Sequence, residues 1–333
     1  MTAYRDAGVD LEAASRHVDR IRSLVEATWG PGVVGGFGGF AAGVELPPNL
    51  RRPVLMLTTD GVGTKLELAR RLGRWDGVGF DLVAMCVDDL AAVGARPLGL
   101  VDYLAVGRLD TDRDTAILAS VAEACRRAGT PLLGGETAEH PGVMEPDQVD
   151  LAGAALGVVE RGNEVTGERI RPGDLVVGLH SPNLRSNGFS LVRRVFHSAD
   201  LDRQVEGTTL GELLLSPSVI YSPEVVAACA TGHVRGAAHI TGGGIPTNLG
   251  RILPEGLGTV IDTSAWDPPT IFELIRVEGR LGPDDMWSVF NMGIGFCLVV
   301  DPAGLDRVAE LVSPHRPTVI GRVVEDGRGV ELT

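Results

Sequence analysis

Short apolar runs alternate along the chain with segments in which apolar residues recur at helical spacing, a pattern typical of α/β and α+β proteins. In the first half this pattern predicts strands over 53–59, 98–106 and 151–159 and helices over 80–93 and 111–128. Helix 111–128 carries the clearest signal, because its apolar residues recur on one face and Gly129 supplies a C-terminal stop.

A polar stretch over residues 160–172 has no apolar periodicity, and the pattern of strands and helices restarts after it. The second half predicts strands over 175–179, 259–261 and 294–300, helices over 188–196 and 270–277, and two closing segments over 305–312 and 318–324. A chain of 333 residues is longer than one hydrophobic core usually serves. We therefore expect two domains, residues 1–165 and 166–333.

The composition is that of an ordinary folded protein. Hydrophobic residues make up 44% of the chain, and the 45 glycines fall in short clusters without a period, which is typical of loops where the backbone approaches a ligand. The net charge of −14 argues against nucleic-acid binding, which needs a basic surface. Phosphate ligands stay open, since magnesium or a helix N-terminus can offset their charge locally.

Cysteines and apolar runs bear on where the protein works. The four cysteines lie far apart in apolar surroundings, which predicts buried free thiols in a reducing compartment. The first ten residues lack the pattern of a signal peptide, and no uncharged apolar run reaches the roughly 18–20 residues of a membrane span. We expect a cytoplasmic protein with no membrane partner.

Two glycine-rich segments of the first half are candidate ligand loops. Segment 35–40 (GGFGGF) is either a flexible surface loop or a lid over a ligand, and its two phenylalanines favour the lid. Segment 60–65 (DGVGTK) directly follows an apolar strand, so its carboxylate, hydroxyl and lysine suit magnesium and phosphate oxygens. It is not a Walker A loop, and a tight turn with solvated charges is the alternative.

Acidic residues mark two further positions in the first half. Asp88 and Asp89 lie in the middle of predicted helix 80–93, where a charge among apolar neighbours is costly unless a cation or a donor compensates it. Segment 134–139 (GGETAE) places Glu136 and Glu139 after a short apolar strand. Carboxylate oxygens suit a hard cation, which favours one metal site shared by these residues.

Three segments of the second half combine glycines with polar side chains: 186–190 (SNGFS), 239–244 (HITGGG) and 290–295 (FNMGIG). The first opens a predicted helix, so Ser186 or Asn187 either caps that helix or helps to hold a phosphate at its positive end. His239 follows two alanines and, taken alone, is more typical of a core histidine.

Taken in order, these segments resemble one family, the phosphoribosylformylglycinamidine cyclo-ligases, also called aminoimidazole ribonucleotide synthetases. The likeness runs through YRDAGVD, GGFGGF, TDGVGTKL, GFDLVAMCVDDL, GGETAEHPG, SNGFSLVRRVF, HITGGG and FNMGIG. The segment from Asp89 to Pro97 is similar to the D-x4-G-A-x-P pattern of the wider superfamily, which also contains thiamine-monophosphate kinase, selenophosphate synthetase, formylglycinamide ribonucleotide amidotransferase and a hydrogenase-maturation protein.

The resemblance implies an ATP-dependent ring closure in purine biosynthesis. The γ-phosphoryl group of ATP would activate the formyl oxygen of formylglycinamidine ribonucleotide, and attack by an amidine nitrogen with loss of phosphate would give 5-aminoimidazole ribonucleotide. Such chemistry rests on positioning and charge neutralisation. The resemblance also implies a homodimer in which N-terminal mixed sheets combine into a β-barrel, and a C-terminal α/β sandwich that completes the substrate site.

The resemblance further assigns roles to residues of this chain. Asp60, Lys65 and Asp89 would be catalytic, and magnesium would be held by Asp60, Asp89 and Glu136. ATP would contact Gly35, Gly36, Phe37, Gly38, Gly39, Lys65, Asp102 and Glu136. The substrate would contact Gly61, Val62, Gly63, Thr64, Arg185, Ser186, Asn187, Gly188, His239, Thr241, Asn291 and Gly293. A potassium ion and the identity of any general base stay open.

Departures from the family pattern concern the substrate phosphate. Asn183 and Arg185 replace the usual small residue and histidine before SNG, and Val219 replaces a lysine or arginine. We expect Arg185 to help bind the ribose phosphate. The alternatives to a cyclo-ligase are another ATP-dependent small-molecule kinase of the superfamily and a non-catalytic nucleotide-binding regulator, which would have no reason to keep costly clustered acids.

Overall fold

The computed structural model describes residues 11–325, 327 and 329–333, and the chain divides into two compact units. Unit 1 contains the residues up to Leu90 together with Pro97–Val158, and unit 2 contains Ala91–Arg96 and Val159–Thr333. The segment YRDAGVD, which contributes to the family resemblance, lies outside the described residues.

Unit 1 is an α/β unit with a four-stranded sheet. Its helices are α1 (Leu11–Glu26), α2 (Lys65–Leu72), α3 (Val78–Ala92) and α4 (Thr111–Arg127), and its strands are β1 (Val33–Val34), β2 (Gly43–Val44), β3 (Pro53–Gly61), β4 (Arg96–Val106), β5 (Leu132–Glu139) and β6 (Val149–Glu160). The order in the main sheet is β3-β6-β4-β5, and β4 and β5 are parallel. Strands β1 and β2 form a separate antiparallel pair.

The two faces of the four-stranded sheet differ in exposure. On one face the Leu82 side chain of α3 packs on β6 at Gly153, and α3 meets α4 closely because Gly79 has no side chain. The other face leaves apolar residues in contact with solvent: Leu57 is 76% exposed, and Leu55, Val101 and Tyr103 are also exposed. Unit 1 therefore has one covered and one uncovered apolar sheet face.

Unit 2 is built on a six-stranded sheet of order β10-β12-β7-β13-β11-β14, in which only β11 and β14 pair in parallel among the described strands. Its strands are β7 (Leu175–His180), β8 (Gln204–Val205), β9 (Thr208–Thr209), β10 (Val234–His239), β11 (Leu257–Ile261), β12 (Ile294–Val300), β13 (Thr318–Glu325) and β14 (Gly329–Leu332). Its helices are α5 (Phe189–Val195), α6 (Leu210–Leu215), α7 (Ser222–Cys229), α8 (Gly244–Gly250), α9 (Thr270–Gly279), α10 (Pro283–Val289) and α11 (Leu305–Leu311).

Strand β12 separates two hydrophobic cores. Phe296 and Leu298 pack in one cluster, whereas Cys297 and Val299 pack in the other, as expected when side chains alternate along a strand. A shift of register between Ile294 and Phe296 puts Ile294 in the same cluster as Cys297. Both faces of the sheet are therefore buried, which is the arrangement of an α/β sandwich.

The predicted fold class is confirmed, and the predicted strands and helices match the observed ones to within about two residues at each end. The closing segments 305–312 and 318–324 are α11 and β13. Two local predictions are wrong: segment 134–139 lies within β5 instead of after a strand, and Asp60 lies within β3, because pairing continues through these residues. The pattern missed helices α1, α2, α6, α7, α8 and α10, strands β10 and β14, and the two-residue strands β1, β2, β8 and β9.

The four cysteines are buried and free, as the sequence predicts. Burial raises the pKa of the Cys229 and Cys297 thiols to about 12. Among the described residues, no helix combines the length and the apolar character needed to span a membrane.

Candidate active site

Asp60 and Asp89 lie close to the same buried thiol. Burial raises the pKa of the Cys86 thiol to about 12, and the negative charges of Asp60 and Asp89 add to this effect. Asp60 Oδ1 accepts a hydrogen bond from the Gly61 amide at 2.7 Å, and Asp89 Oδ2 accepts one from Thr58 Oγ1 at 3.4 Å. The structure therefore brings together two carboxylates that are distant in sequence, where β3 ends.

The loop after Asp60 is anchored to the sheet. The Val62 amide donates to the Leu151 carbonyl of β6 at 3.0 Å, and the Val62 side chain is buried. Gly63 has a φ of 71°, a left-handed conformation that favours glycine, and Thr64 leads directly into α2. Segment 61–64 is thus a short, fixed connection beside Asp60.

Lys65 lies in the interior of unit 1, not on an open loop. Its ammonium donates to Asp81 Oδ1 at 2.9 Å and lies 2.8 Å from Oδ2, and both side chains are fully buried. The sequence did not predict this ion pair, and the expected contact of Lys65 with ATP phosphates stays a prediction. A buried charge needs its partner, so a phosphate contact would require the pair to open.

A cavity of about 770 Å³ in unit 1 contains several of the predicted ATP contacts. Gly36, Phe37, Gly38 and Gly39 line it, together with Asp102 of β4 and Glu136 of β5. The Arg22 guanidinium of α1 lies over the Phe37 ring at 4.7 Å, a cation–π contact that fixes the glycine-rich segment on that helix. A volume of this size is typical of small-molecule and cofactor sites.

Asp102 is a nearly buried carboxyl group in this cavity. Burial raises its pKa to about 7, although a hydrogen bond from backbone opposes the shift. A Cβ at Gly135 would collide with the Asp102 carboxyl group, so the missing side chain at position 135 leaves the space that Asp102 occupies. Perturbed carboxyl groups of this kind are frequent at functional sites.

The three predicted acidic ligands do not form a complete metal cage. Within residues 11–325, 327 and 329–333, no group of three or more histidine, cysteine, aspartate or glutamate side chains is arranged to hold a metal ion. Asp60 and Asp89 are neighbours, and Glu136 lines the cavity. Two carboxylates do fit magnesium, since this ion is usually held by one or two carboxylates with phosphate and water oxygens as its other ligands.

In unit 2, the three predicted loops meet one another. A Cβ at Gly188 would collide with the Phe290 ring, and a Cβ at Gly242 would lie 3.7 Å from Asn187 Oδ1. Asn291 Nδ2 donates to the Asn183 carbonyl at 3.1 Å, and Asn291 Oδ1 accepts from the Gly293 amide at 2.8 Å. Residues of SNGFS, HITGGG and FNMGIG therefore form one cluster.

His239 and Thr241 belong to the same cluster. The His239 ring stacks on Phe296 with 6.0 Å between the ring centroids, and its side chain is buried. Thr241 Oγ1 donates to Asn248 Oδ1 of α8 at 3.4 Å. His239 is thus packed as a core histidine at the margin of the loop cluster.

Arg185 has a structural position that the sequence did not predict. The side chain is only 1% exposed, and its guanidinium donates to the carbonyls of Val219 at 3.0 Å and Gly295 at 3.2 Å. The guanidinium also lies over the Tyr221 ring at 4.9 Å. Arg185 therefore joins its own segment to two others in the interior, and its predicted contact with the ribose phosphate stays a prediction.

Sequence reasoning missed a histidine among the residues that line the cavity in unit 1. His17 on α1 lines it alongside Asp102, and α1 itself carries no motif that attracts attention. A histidine on the apolar face of an amphipathic helix is the available signal, but alone it is more typical of a core position.

The class of protein follows from the two α/β units and their match to known domains. The family described as AIR synthase related protein, N-terminal domain, matches residues 44–159, and AIR synthase related protein, C-terminal domain, matches residues 171–332. Thiamine-monophosphate kinase from Stenotrophomonas maltophilia K279a shares this fold at 21% identity and a TM-score of 0.68, over 94% of each chain. A hydrogenase maturation protein HypE in complex with ATP is similar, at 18% identity and a TM-score of 0.67 over 92% of this chain and 86% of that chain.

Full-length relatives identify the family within this class. A protein of Synechococcus sp. strain CC9605 that is named phosphoribosylformylglycinamidine cyclo-ligase is 45% identical to this chain, over 98% of this chain and 96% of its own length. The corresponding protein of Sorangium cellulosum is 46% identical over 97% of this chain and 96% of its own length. The chain belongs to the phosphoribosylformylglycinamidine cyclo-ligase family.

Proposed function

We propose that this chain closes the imidazole ring of 5-aminoimidazole ribonucleotide from formylglycinamidine ribonucleotide, with conversion of ATP to ADP and phosphate. The γ-phosphoryl group passes to the formyl oxygen, an amidine nitrogen attacks the activated carbon, and phosphate leaves with that oxygen. The observation that carries this proposal is 45% identity to a cyclo-ligase over 98% of the chain.

ATP is proposed to bind in the cavity of unit 1. Segment 35–39 would cover the nucleotide, and Asp102 and Glu136 would contact it. Support comes from the volume of about 770 Å³ and from the glycine-rich segment that lines the same space as both acidic residues. Glycine amides at such a segment can approach a ligand closely.

Asp60 and Asp89 are proposed to hold magnesium, with Glu136 as a further ligand. When bound, this ion would offset the negative charge of the transferred phosphoryl group. The two carboxylates would hold the ion in a fixed position, because Asp60 lies on strand β3 and Asp89 lies on helix α3. Lys65 would contact the ATP phosphates only if its ion pair with Asp81 opens.

The loop cluster of unit 2 is proposed to bind the ribonucleotide. Ser186, Asn187 and Gly188 offer hydroxyl, amide and backbone donors for its phosphate and sugar. Asn291 and Gly293 are held in a fixed geometry by hydrogen bonds, which supports a preorganised site.

A homodimer through the uncovered sheet face of unit 1 is also proposed. Leu55 and Leu57 of β3 and Val101 and Tyr103 of β4 are exposed on this sheet, and neighbouring exposed apolar residues are typical of protein interfaces. Pairing two such sheets would cover these side chains and remove sheet edges. The cytoplasm, where purine precursors and ATP are made available, is the proposed location.

One assay tests this function against its alternative. The protein is incubated with ATP, magnesium and formylglycinamidine ribonucleotide, with and without potassium, and ADP and aminoimidazole ribonucleotide are measured. Equal amounts of both products support the cyclo-ligase. Formation of a stable phosphorylated small molecule without ring closure would instead identify a kinase of the superfamily.

A further inference from the structure

The cavity of unit 1 contains a polar side chain for which the proposed function has no use. His17 is 1% exposed, and neither of its ring nitrogens has a hydrogen-bond partner. A neutral imidazole carries one N–H donor and one acceptor nitrogen, and both cost free energy when they are buried without partners. His17 lines the cavity, but both ring nitrogens are closed off from it, so a molecule bound there can supply the missing partner once the ring turns towards it.

The surroundings of His17 determine what kind of partner fits. Burial is the largest influence on its pKa and lowers it, Arg20 lowers it further, and the carboxylate of Asp114 acts in the opposite direction. The ring is therefore neutral near pH 7 and is not a cationic site for phosphate. A neutral donor and acceptor pair suits an uncharged heteroaromatic group.

The neighbouring walls of the cavity are apolar. Val18, Ile21 and Val25 of the same helix line it, and Leu118 and Leu133 line it from α4 and β5. A flat ring can be buried among such side chains, while its edge forms a hydrogen bond with a polar group placed between them. Phosphates, by contrast, need cations or free amide donors.

We propose that the His17 ring turns towards the cavity when the nucleotide binds, and that one ring nitrogen then forms a hydrogen bond with the edge of the purine base. This inference rests on the proposed binding of ATP in the same cavity. It places the base in the part of the cavity next to α1 and His17, and the phosphates in the part away from His17. His17 is thereby a residue that contributes to the choice of nucleotide.

The test compares His17→Leu, which removes both ring nitrogens at similar volume, with His17→Gln, whose amide again offers a donor and an acceptor. His197→Leu is the matched control, since His197 is an exposed histidine of unit 2. Calorimetry measures the binding of a non-hydrolysable ATP analogue and of inorganic triphosphate, both with magnesium. Thermal unfolding is measured without ligand.

We expect His17→Leu to weaken binding of the ATP analogue about fivefold, the effect of one lost hydrogen bond. Triphosphate binding and the Michaelis constant for formylglycinamidine ribonucleotide should not change. His17→Gln should stay within about twofold of the wild type. Unfolding of ligand-free His17→Leu should occur at the same temperature or higher, because polar atoms without partners are removed from the interior.

Three results would overturn the inference. Analogue binding by His17→Leu within twofold of the wild type would show that the ring does not contact the nucleotide. Equal weakening of analogue and triphosphate would show that the contact is not with the base. If His17→Leu unfolds at a lower temperature, and this loss of stability explains the weaker binding of the analogue, the role of His17 is structural. Absence of nucleotide binding by the wild type, in contrast, would reject the proposed function itself.

Discussion

Burial divides the acidic residues of unit 1 into groups with different chemistry. Asp81 is neutralised by Lys65 in the interior, whereas Asp60 and Asp89 both act on the Cys86 thiol. Asp102 has a raised pKa because it is nearly buried in a cavity. Residue type alone therefore does not decide the role of a carboxylate in this chain, and its surroundings do.

Replacing Asp60 or Asp89 with asparagine should abolish most activity without unfolding the protein. An asparagine keeps the shape of the side chain but removes the charge that we propose binds magnesium, and the loss of such electrostatic stabilisation typically lowers turnover about a hundred- to a thousandfold. Turnover and circular dichroism check this. Asp306→Asn, an exposed position on α11, is the control and should be fully active. Turnover within about threefold of the wild type would exclude the mutated residue as a magnesium ligand.

Asp102→Asn should stabilise the protein at pH 8 more than at pH 5. The pKa of Asp102 is about 7 in the folded state against an ordinary value of 3.8, so the folded state keeps a proton that the unfolded state releases. Its contribution to stability is full below pH 3.8 and is lost as the pH rises to about 7. Denaturant unfolding of both proteins should show a difference that grows by about 2–3 kcal/mol from pH 5 to pH 8. A constant difference would contradict the raised pKa.

Among the elements, many of the long strands and helices could be predicted from the sequence, and the connections could not. Strand β12 has an uninterrupted apolar pattern, and the predicted bounds, 294–300, are those observed. Helix α8, in contrast, begins inside the glycines of HITGGG, where local propensity opposes a helix, and tertiary packing decides its position. Sequence patterns record burial and spacing, but not which distant backbone a loop will meet.

Arg185 shows this limit most clearly. We expected it to help bind the ribose phosphate, but the left-handed backbone at this residue, with a φ of 60°, turns the side chain towards the carbonyls of Val219 and Gly295. Asn183 supports the turn, since its Oδ1 accepts from the Arg185 amide at 2.9 Å. The packing of the neighbouring loops, and not the sequence motif, therefore decides what the guanidinium contacts.

Arg185→Met should therefore reduce stability more than it affects the recognition of either substrate. The change leaves two buried carbonyls without these donors, at a cost of about 1–3 kcal/mol each. Denaturant unfolding measures the free energy, and steady-state kinetics measures the Michaelis constants for ATP and for the ribonucleotide. Arg194→Met, at an exposed position of α5, is the control and should have little effect on stability. If the variant is as stable as the wild type and only its Michaelis constant for the ribonucleotide is raised, Arg185 instead contacts the substrate phosphate.

For the whole molecule, the sequence predicted two domains but not how much of each surface is apolar. The exposed face of the sheet in unit 1 follows from the alternation in β3, where Leu55 and Leu57 lie on the same side. From the sequence alone, that alternation gives no sign of which side is covered. The side left open is the one that we propose covers itself with a second copy of the chain.

Leu57→Glu should convert the proposed dimer into a monomer of about 35.0 kDa. A charge in an apolar interface is costly to bury, so association should weaken strongly. Sedimentation at micromolar concentration measures the mass. Val277→Glu is the matched control, since Val277 is an exposed valine of unit 2, and it should leave the mass unchanged. A wild-type protein that sediments as a monomer would reject the dimer.

The buried cysteines give the molecule its own chemical reporters. Cys86 and Cys125 lie in unit 1, and Cys229 and Cys297 lie in unit 2. Because burial raises the pKa of all four thiols, alkylating reagents find almost no thiolate in the folded chain. Each thiol is modified only when its surroundings open, so mass spectrometry of the labelled peptides would time the opening of each unit separately without any engineered probe.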